Sequence, residues 1–179
     1  LEAYTTGTVT GGEPLPADIV LVLDQSGSMG EGFDSQYSRQ QAMKNAVNSF
    51  ITEVADQYSA DADHRISIVT FGNGATRRMD WTYVNQQGES TLHSSVNRLP
   101  TSPSGATDVA SGMNEAKDLI NSPENGGDYS YNGKNTERSK VVIVFTDGVP
   151  TTSNTYSESV ADQAVQYSKD IKDAGATIY

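Results

Sequence analysis

Short apolar runs rich in β-branched residues alternate along the chain with amphipathic stretches, and this alternation limits the fold more than any other feature. The runs occupy residues 18–23 ("DIVLVL"), 65–71 ("RISIVTF") and 141–145 ("VVIVF"). Nearly continuous apolar runs of this length are typical of parallel strands that are covered on both faces. We therefore predict an α/β fold with a doubly wound, Rossmann-like sheet that is mostly parallel.

Helices on both faces of this sheet are predicted from apolar residues at helical spacing. They are expected over residues 36–58, over residues 89–99, after Thr107, and over residues 160–171 with Gly175 as the C-cap. The stretch "FGNGATRRMDWTY" places Gly72-Asn73-Gly74 between two strand-like runs. This pattern predicts one antiparallel strand at an edge of the sheet.

The chain is expected to contain one domain, preceded by a segment that belongs to a neighbouring domain. Residues 1–16 combine a Thr-rich stretch with "GGEPLP", which predicts a strand or linker from a neighbouring domain. Residues 17–179 are assigned to the domain itself. The final "AGATIY" enters an apolar run, so we expect the domain to continue beyond Tyr179 and Tyr179 to pair beside residues 141–145.

Charge and composition exclude several kinds of partner and site. The chain has 12 Lys and Arg against 23 Asp and Glu, and this net charge of -11 would repel a nucleic-acid backbone. No run approaches the roughly 20 apolar residues that span a bilayer. Cysteine is absent, which excludes thiolate metal sites and catalytic thiols.

Oxygen-bearing side chains stand where the predicted strands end. Asp24 begins "DQSGSM" after the first run, and Asp147 lies in "FTDG" after the third. Because the carboxyl ends of parallel strands converge on one crevice, these motifs should meet there, together with the helix entry "GATD". The candidate metal ligands are Asp24, Ser26, Ser28, Thr107 and Asp147. Carboxylate and hydroxyl oxygens suit a hard divalent cation, best Mg²⁺, with Mn²⁺ and Ca²⁺ as alternatives.

Each of these residues also has a purely structural interpretation. Asp24 or Asp147 alone could form a turn, and Thr107 could cap its helix. Asp108 is better explained as a first-turn carboxylate that complements the helix dipole than as a ligand. The three motifs together, reaching one end of one sheet, favour a metal site.

The same motifs resemble the metal-ion-dependent adhesion site of von Willebrand factor type A domains. The resemblance covers residues 18–179. The phrases "ADIVLVLDQSGSM", "KVVIVFTDGVPT" and "KDAGATIY" are most similar to such domains in Gram-positive surface proteins and pilus-tip adhesins. The resemblance implies that the five candidate ligands contact the metal, some through water. It also implies a secreted protein at the bacterial cell surface, in the cell wall or a pilus.

The resulting interpretation is a divalent-cation-dependent adhesion or interaction module and not an enzyme. An acidic group of a protein partner, such as an extracellular-matrix protein, would complete the coordination, and a neighbouring domain of the same surface protein is a second expected partner. One alternative is a structural module that the metal stabilises. A Mg²⁺-dependent phosphotransferase is the weaker alternative, because Ser26 replaces the second Asp of D-x-D-x-T. His64 and His93 are expected away from the serines.

The loops differ in their expected roles. The polar segment 121–140 is predicted to be a solvated insertion at the end of the sheet opposite the metal crevice. The loops after Met29, at residues 99–106 and after Gly148 are expected to form the rim of the ligand site.

Overall fold

The computed structural model describes residues 16–59, 62–122, 128–131, 134–153 and 155–179. Within them lie four α-helices and nine strands. The helices are α1 (Arg39–Asp56), α2 (Gln86–Asn97), α3 (Val109–Asn121) and α4 (Glu158–Asp173). The strands are β1 (Ala17–Asp24), β2 (Arg65–Phe71), β3 (Ala75–Tyr83), β4 (Asp128–Tyr131), β5 (Lys134–Glu137), β6 (Ser139–Phe145), β7 (Thr151–Thr152), β8 (Thr155–Tyr156) and β9 (Thr177–Ile178).

Strand β1 is the centre of a five-stranded sheet with the order β3-β2-β1-β6-β9. Its neighbours β2 and β6 run parallel to it, whereas β3 pairs antiparallel with β2 at one edge. The predicted doubly wound α/β sheet with one antiparallel edge strand is thereby confirmed. Asp24 of β1 lies in register with Phe71 of β2, and Leu23 with Phe145 of β6. The residues that follow β1 and β6 therefore leave the sheet at the same end.

The side chains of β1 alternate between two buried clusters, one on each face of the sheet. On one face, Ile19, Leu21 and Leu23 pack with α1 and α2. On the other face, Val20 and Val22 pack with α3 and α4. All five are at most 6% exposed, and full burial of one such side chain stabilises a fold by about 1.5–3 kcal/mol. These contacts fix β1 between two helical layers.

A buried ion-pair network holds the amino end of β1. The side chain of Asp18 is 1% exposed and accepts hydrogen bonds from Arg65 Nε at 2.8 Å and Arg138 Nε at 2.6 Å. Arg138 Nη1 also donates to Asp63 Oδ1 at 2.7 Å. A buried carboxylate is costly unless it is paired, and Asp18 has two guanidinium partners. Sequence analysis did not identify this network, because its members come from three separate segments.

Helix α1 starts later than predicted. The periodicity indicated a start at Gln36, but the first helical residue is Arg39, so that boundary was wrong. Ser38 is the N-cap and its Oγ accepts from Gln41 N at 3.2 Å. Residues 33–37 instead form a compact loop, in which Phe33 N donates to Tyr37 O at 2.9 Å. Local turn chemistry therefore overrides the helical period at this end.

The other helix boundaries agree more closely with the sequence. Helix α3 follows Thr107 as predicted, but its N-cap is Asp108, whose Oδ1 accepts from Ser111 N at 3.1 Å. The assignment of Asp108 as a first-turn residue was therefore wrong. Helix α4 ends at Asp173, and Gly175 follows with a positive φ of 83°. Gly175 thus occupies the left-handed position that commonly terminates a helix.

The amino-terminal end of the chain and the polar insertion are described only in part. Residues 1–15 of the linker predicted over residues 1–16 lie outside the described residues. Tyr179 pairs beside β6 as predicted, since its N–H donates to Val142 O at 2.9 Å. Within 121–140, backbone pairing of β4 with β5 forms a hairpin that sequence analysis missed. Among the described residues, no helix combines the length and apolar character needed to cross a bilayer.

Gly88 is required where α2 starts beside β3. A β-carbon at this position would overlap the carbonyl oxygen of Tyr83. Because backbone must shift to relieve this clash, we expect Gly88→Ala to lower the free energy of unfolding by about 2 kcal/mol or more, outweighing the gain of about 1 kcal/mol in helix propensity. Urea denaturation followed by circular dichroism measures the change.

Gly74→Ala is the matched control. A β-carbon at Gly74 meets no atom of the described residues within 4 Å, so the substitution should change the free energy of unfolding by at most about 0.5 kcal/mol. Equal stabilities of the two variants would contradict the proposed clash at Gly88.

Candidate metal centre

The loop that leaves β1 gathers the oxygens of its three candidate ligands. The side chain of Asp24 is buried and its Oδ1 accepts from Ser26 N at 2.7 Å. Residues Gly27–Gly30 form a 3-10 turn, which brings Ser28 Oγ to 3.0 Å from Ser26 Oγ. Gln25 N continues the ladder by donating to Phe71 O at 2.7 Å. The alternating pattern of Asp24, Ser26 and Ser28 therefore places three oxygens on one side of the loop.

The end of β6 joins this cluster through two hydroxyl groups. Ser28 Oγ donates to Asp147 Oδ1 at 2.8 Å, and Thr146 Oγ1 donates to Asp24 Oδ2 at 2.7 Å. The same Thr146 oxygen accepts from Gly148 N at 3.2 Å. Each carboxylate thus accepts a hydrogen bond from a hydroxyl group of the other loop. Thr146 was part of the quoted "FTDG" motif, but sequence analysis gave it no role.

Thr107 reaches the cluster from the loop before α3. It is 5% exposed, and its N–H donates to Thr151 Oγ1 at 3.0 Å. A β-carbon added to Gly148 would lie 3.2 Å from Thr107 Oγ1 and 3.6 Å from Ser28 Oγ. The absent side chain of Gly148 therefore allows the loop after β6 to approach both hydroxyls. Thr151, which anchors this arrangement, was not identified from the sequence.

Asp24 and Asp18 are buried carboxylates on the same strand with opposite surroundings. Both residues are 0% exposed. Asp18 pairs with two guanidinium groups, whereas among the described residues Asp24 accepts only from uncharged N–H and O–H groups. Burial raises the pKa of Asp24, and the nearby charge of Asp147 raises it further, although hydrogen bonds from Ser26 and Thr146 oppose both effects. Burial therefore disfavours the charged form of Asp24, which has no cationic partner in the part of the chain that the structure describes.

Asp147 does have a cationic partner that sequence analysis missed. Arg39 Nη1 lies 2.5 Å from Asp147 Oδ2 and 3.1 Å from Glu31 Oε2. The hydrogen bond to Asp147 is the main reason that the pKa of Arg39 is raised. The sequence prediction placed Arg39 at the fourth position of a helix, whereas it is the first residue of α1, directly after the loop that holds Glu31.

The donor set fits a hard divalent cation. The five candidate ligands supply two carboxylates and three hydroxyls, and the hydroxyl oxygens keep lone pairs for a metal. In the described part of the chain, no three His, Cys, Asp or Glu side chains converge, so neutral oxygens have to complete any site here. The structure brings the five residues together, while their binding of a metal stays a prediction.

Known proteins place these features in a family. The von Willebrand factor type A domain profile matches residues 19–149, which is more than half of the chain. No curated protein matches the chain. Among solved structures, pilus adhesin SpaC from Lactobacillus rhamnosus GG aligns with a TM-score of 0.67 and 16% identity, covering 94% of this chain and 24% of that protein.

Two further solved structures have similar folds. The PilB minor pilin from Streptococcus sanguinis aligns with a TM-score of 0.59 and 19% identity over 78% of this chain and 31% of that protein. The vWF domain of the type V pili tip protein Mfa5 from Porphyromonas gingivalis aligns with a TM-score of 0.56 and 21% identity, covering 76% of this chain and 39% of that protein. This chain therefore spans well under two thirds of each of these proteins. At such low sequence identities, the structural similarity shows a shared fold and nothing more.

Replacing Asp24 by Asn should stabilise the metal-free protein. Because the folded-state pKa of Asp24 is raised above its ordinary value of 3.8, the folded protein binds this proton more tightly than the unfolded chain. The destabilisation by the charged carboxylate is therefore complete above the raised pKa and disappears as the pH falls to the ordinary value. In a chelator at neutral pH, we expect Asp24→Asn to raise the melting temperature by a few degrees.

Thermal melting across the acidic to neutral range checks this expectation. The difference between Asp24→Asn and the wild type should shrink as the pH falls. Asp162→Asn, at an exposed position on α4, removes the same charge and should change little. A lower melting temperature for Asp24→Asn at neutral pH would contradict the argument.

Proposed function

The chain belongs to the von Willebrand factor type A family, and from this premise we propose that it is a divalent-cation-dependent adhesion or protein-interaction module. Its site would bind an acidic group of a protein ligand through the metal. The expected setting is the outer surface of a bacterial cell, in a pilus or cell-wall protein. The similar folds of SpaC, PilB and Mfa5, which are pilus proteins, support this setting.

The observation that carries the proposal is the unpaired charge of Asp24. A buried carboxylate without a cation is costly. Asp18, on the same strand, pairs with Arg65 and Arg138 from other segments, whereas Asp24 has no arginine or lysine partner among the described residues. A divalent cation at the carboxyl end of β1 would offset this cost. Natural proteins retain destabilising buried charges of this kind mainly at functional sites.

The remaining ligands would set the charge and the open coordination of the metal. Asp24 and Asp147 supply two negative charges, and Ser26, Ser28 and Thr107 supply neutral oxygens. Mg²⁺ prefers six oxygen ligands and usually retains waters. A partner carboxylate would replace one of these waters, so that the partner itself completes the coordination.

Exposed apolar side chains near the site support a protein partner. Phe33 and Tyr37, in the loop after the first motif, are 66% and 43% exposed, and Val149 and Tyr156, after the last motif, are 61% and 59% exposed. Aromatic residues of this kind commonly anchor protein interfaces. Both segments belong to loops that we predicted as the rim of the ligand site.

The loop with Phe33 and Tyr37 is preorganised by hydrogen bonds within the loop. Asp34 Oδ1 accepts from Gln36 N and from Tyr37 N, each at 2.7 Å. A preorganised loop loses little conformational entropy on binding. This local order further supports a recognition role for the rim.

The two histidines of the chain support binding over hydrolysis. His64 Nδ1 accepts from Ala17 N at 3.2 Å, at the opposite end of the sheet from the site. His93 Nδ1 lies 2.7 Å from Asn48 Oδ1, between α1 and α2. Neither imidazole contacts Ser26 or Ser28, so no histidine is placed to activate these hydroxyls as nucleophiles.

A purely structural metal is the second candidate function, and the cost of burying Asp24 also favours it. The cation would then stabilise a module that stacks on neighbouring domains, without contacting a ligand. Both roles predict that Mg²⁺ raises the melting temperature. They differ in partner binding, which a chelator would abolish only in the adhesion role.

Calorimetric titration with Mg²⁺, Mn²⁺ and Ca²⁺ tests the proposal directly. We expect at least one of these cations to bind the wild type, and Asp24→Ala to abolish the binding because it removes the central charged ligand. Asp162→Ala, which removes an exposed carboxylate on α4, should bind the cation like the wild type. Absence of cation binding by the folded wild type would overturn the proposed function.

A further inference from the structure

Arg39 is fixed beside the proposed metal site by the start of α1. Its backbone N–H donates to Glu31 O at 2.9 Å, and the preceding residue is the N-cap of the helix. Its guanidinium contacts Asp147 Oδ2 at 2.5 Å and lies 3.4 Å from Ser28 O. Arg39 therefore touches two of the proposed ligand residues without being able to bind a cation itself.

We propose that Arg39 determines the specificity of this site, by keeping the metal-loaded site positively charged at the expense of metal affinity. The inference rests on the proposed function, since it assumes that a cation binds at Asp24 and Asp147. It assigns to Arg39 a role in selecting anionic partner groups, and carboxylates in particular.

The charges of the site carry this argument. Asp24 and Asp147 together hold two negative charges, which a divalent cation neutralises to zero. Arg39 adds one positive charge, so the loaded site has a net charge of about +1. Glu31 also contacts Arg39, but its side chain is 66% exposed, and water screens such an exposed carboxylate strongly. A net positive site attracts a carboxylate more strongly than a neutral site does.

The same guanidinium should weaken cation binding. It repels the incoming metal, and its hydrogen bond to Asp147 partly neutralises the carboxylate that would bind the metal. Removing the charge of Arg39 should therefore have opposite effects on cation binding and on carboxylate binding. The cation should bind more tightly, and a carboxylate should bind the loaded site more weakly.

Titration with Mn²⁺ alone tests the first direction. We expect Arg39→Gln to bind Mn²⁺ roughly 3- to 10-fold more tightly than the wild type, because a like charge has been removed. Arg39→Lys keeps the charge but not the planar fork, and should stay near the wild type. Lys172→Gln is the control for net charge, since Lys172 is exposed in the last turn of α4 at the opposite end of the sheet.

Acetate serves as the carboxylate probe for the second direction. Displacement of metal-bound water by acetate can be followed by water-proton relaxation of the Mn²⁺-loaded protein. We expect loaded Arg39→Gln to require several-fold more acetate than the wild type or Lys172→Gln. Thermal melting of each variant verifies that the domain is folded.

The outcomes separate this inference from the proposed function. If the folded wild type binds no cation, both are overturned. If the wild type binds Mn²⁺ and Arg39→Gln binds it equally or more weakly, only the role of Arg39 is overturned. The same conclusion follows if Arg39→Lys behaves like Arg39→Gln, because the charge would then have no part in the effect. An unchanged requirement for acetate in Arg39→Gln would likewise overturn it.

Discussion

The burial of β1 on both faces is the constraint on which the rest of the structure depends. Its apolar side chains anchor a helical layer on each side, so the strand has to lie in the middle of the sheet. This position also buries a carboxylate at each end of the strand, at Asp18 and Asp24. The fold neutralises Asp18 with Arg65 and Arg138. It surrounds Asp24 with hydroxyl and amide donors only, as far as the described residues extend, and this asymmetry distinguishes the structural end of the sheet from the candidate site.

The candidate site is assembled by parallel pairing more than by any single motif. Because β1 and β6 run side by side in the same direction, the loops after Leu23 and Phe145 emerge together. Hydrogen bonds from Thr146 and Ser28 then connect the two loops across 122 and 119 residues of sequence. The missing side chain of Gly148 allows Thr107 to come close to this pair of loops.

The position of Arg39 beside the candidate site depends on how the amino-terminal end of α1 folds. Hydrophobic periodicity places residue 39 at the fourth position of the helix, whereas in the structure it is the first residue of α1. The capping of α1 by Ser38 and the compact loop at residues 33–37 instead place the guanidinium against Asp147. The same loop presents Phe33 and Tyr37 to solvent. One short segment thus contributes both a charge beside the site and apolar anchors at its rim.

The sequence by itself determined the fold class, the central strands, and the five candidate ligands of the site. Apolar period and turn residues are local signals, and they were sufficient to identify β1, β2, β6 and the motifs that end β1 and β6. Helix ends were less predictable, since capping by Ser38 and Asp108 competes with a periodic pattern that continues past the true boundary. Only the tertiary structure decided which charges have partners: Arg65 and Arg138 at Asp18, Arg39 at Asp147, and uncharged donors at Asp24. The charged pairs join residues far apart in the chain, and no local preference of the backbone specifies them.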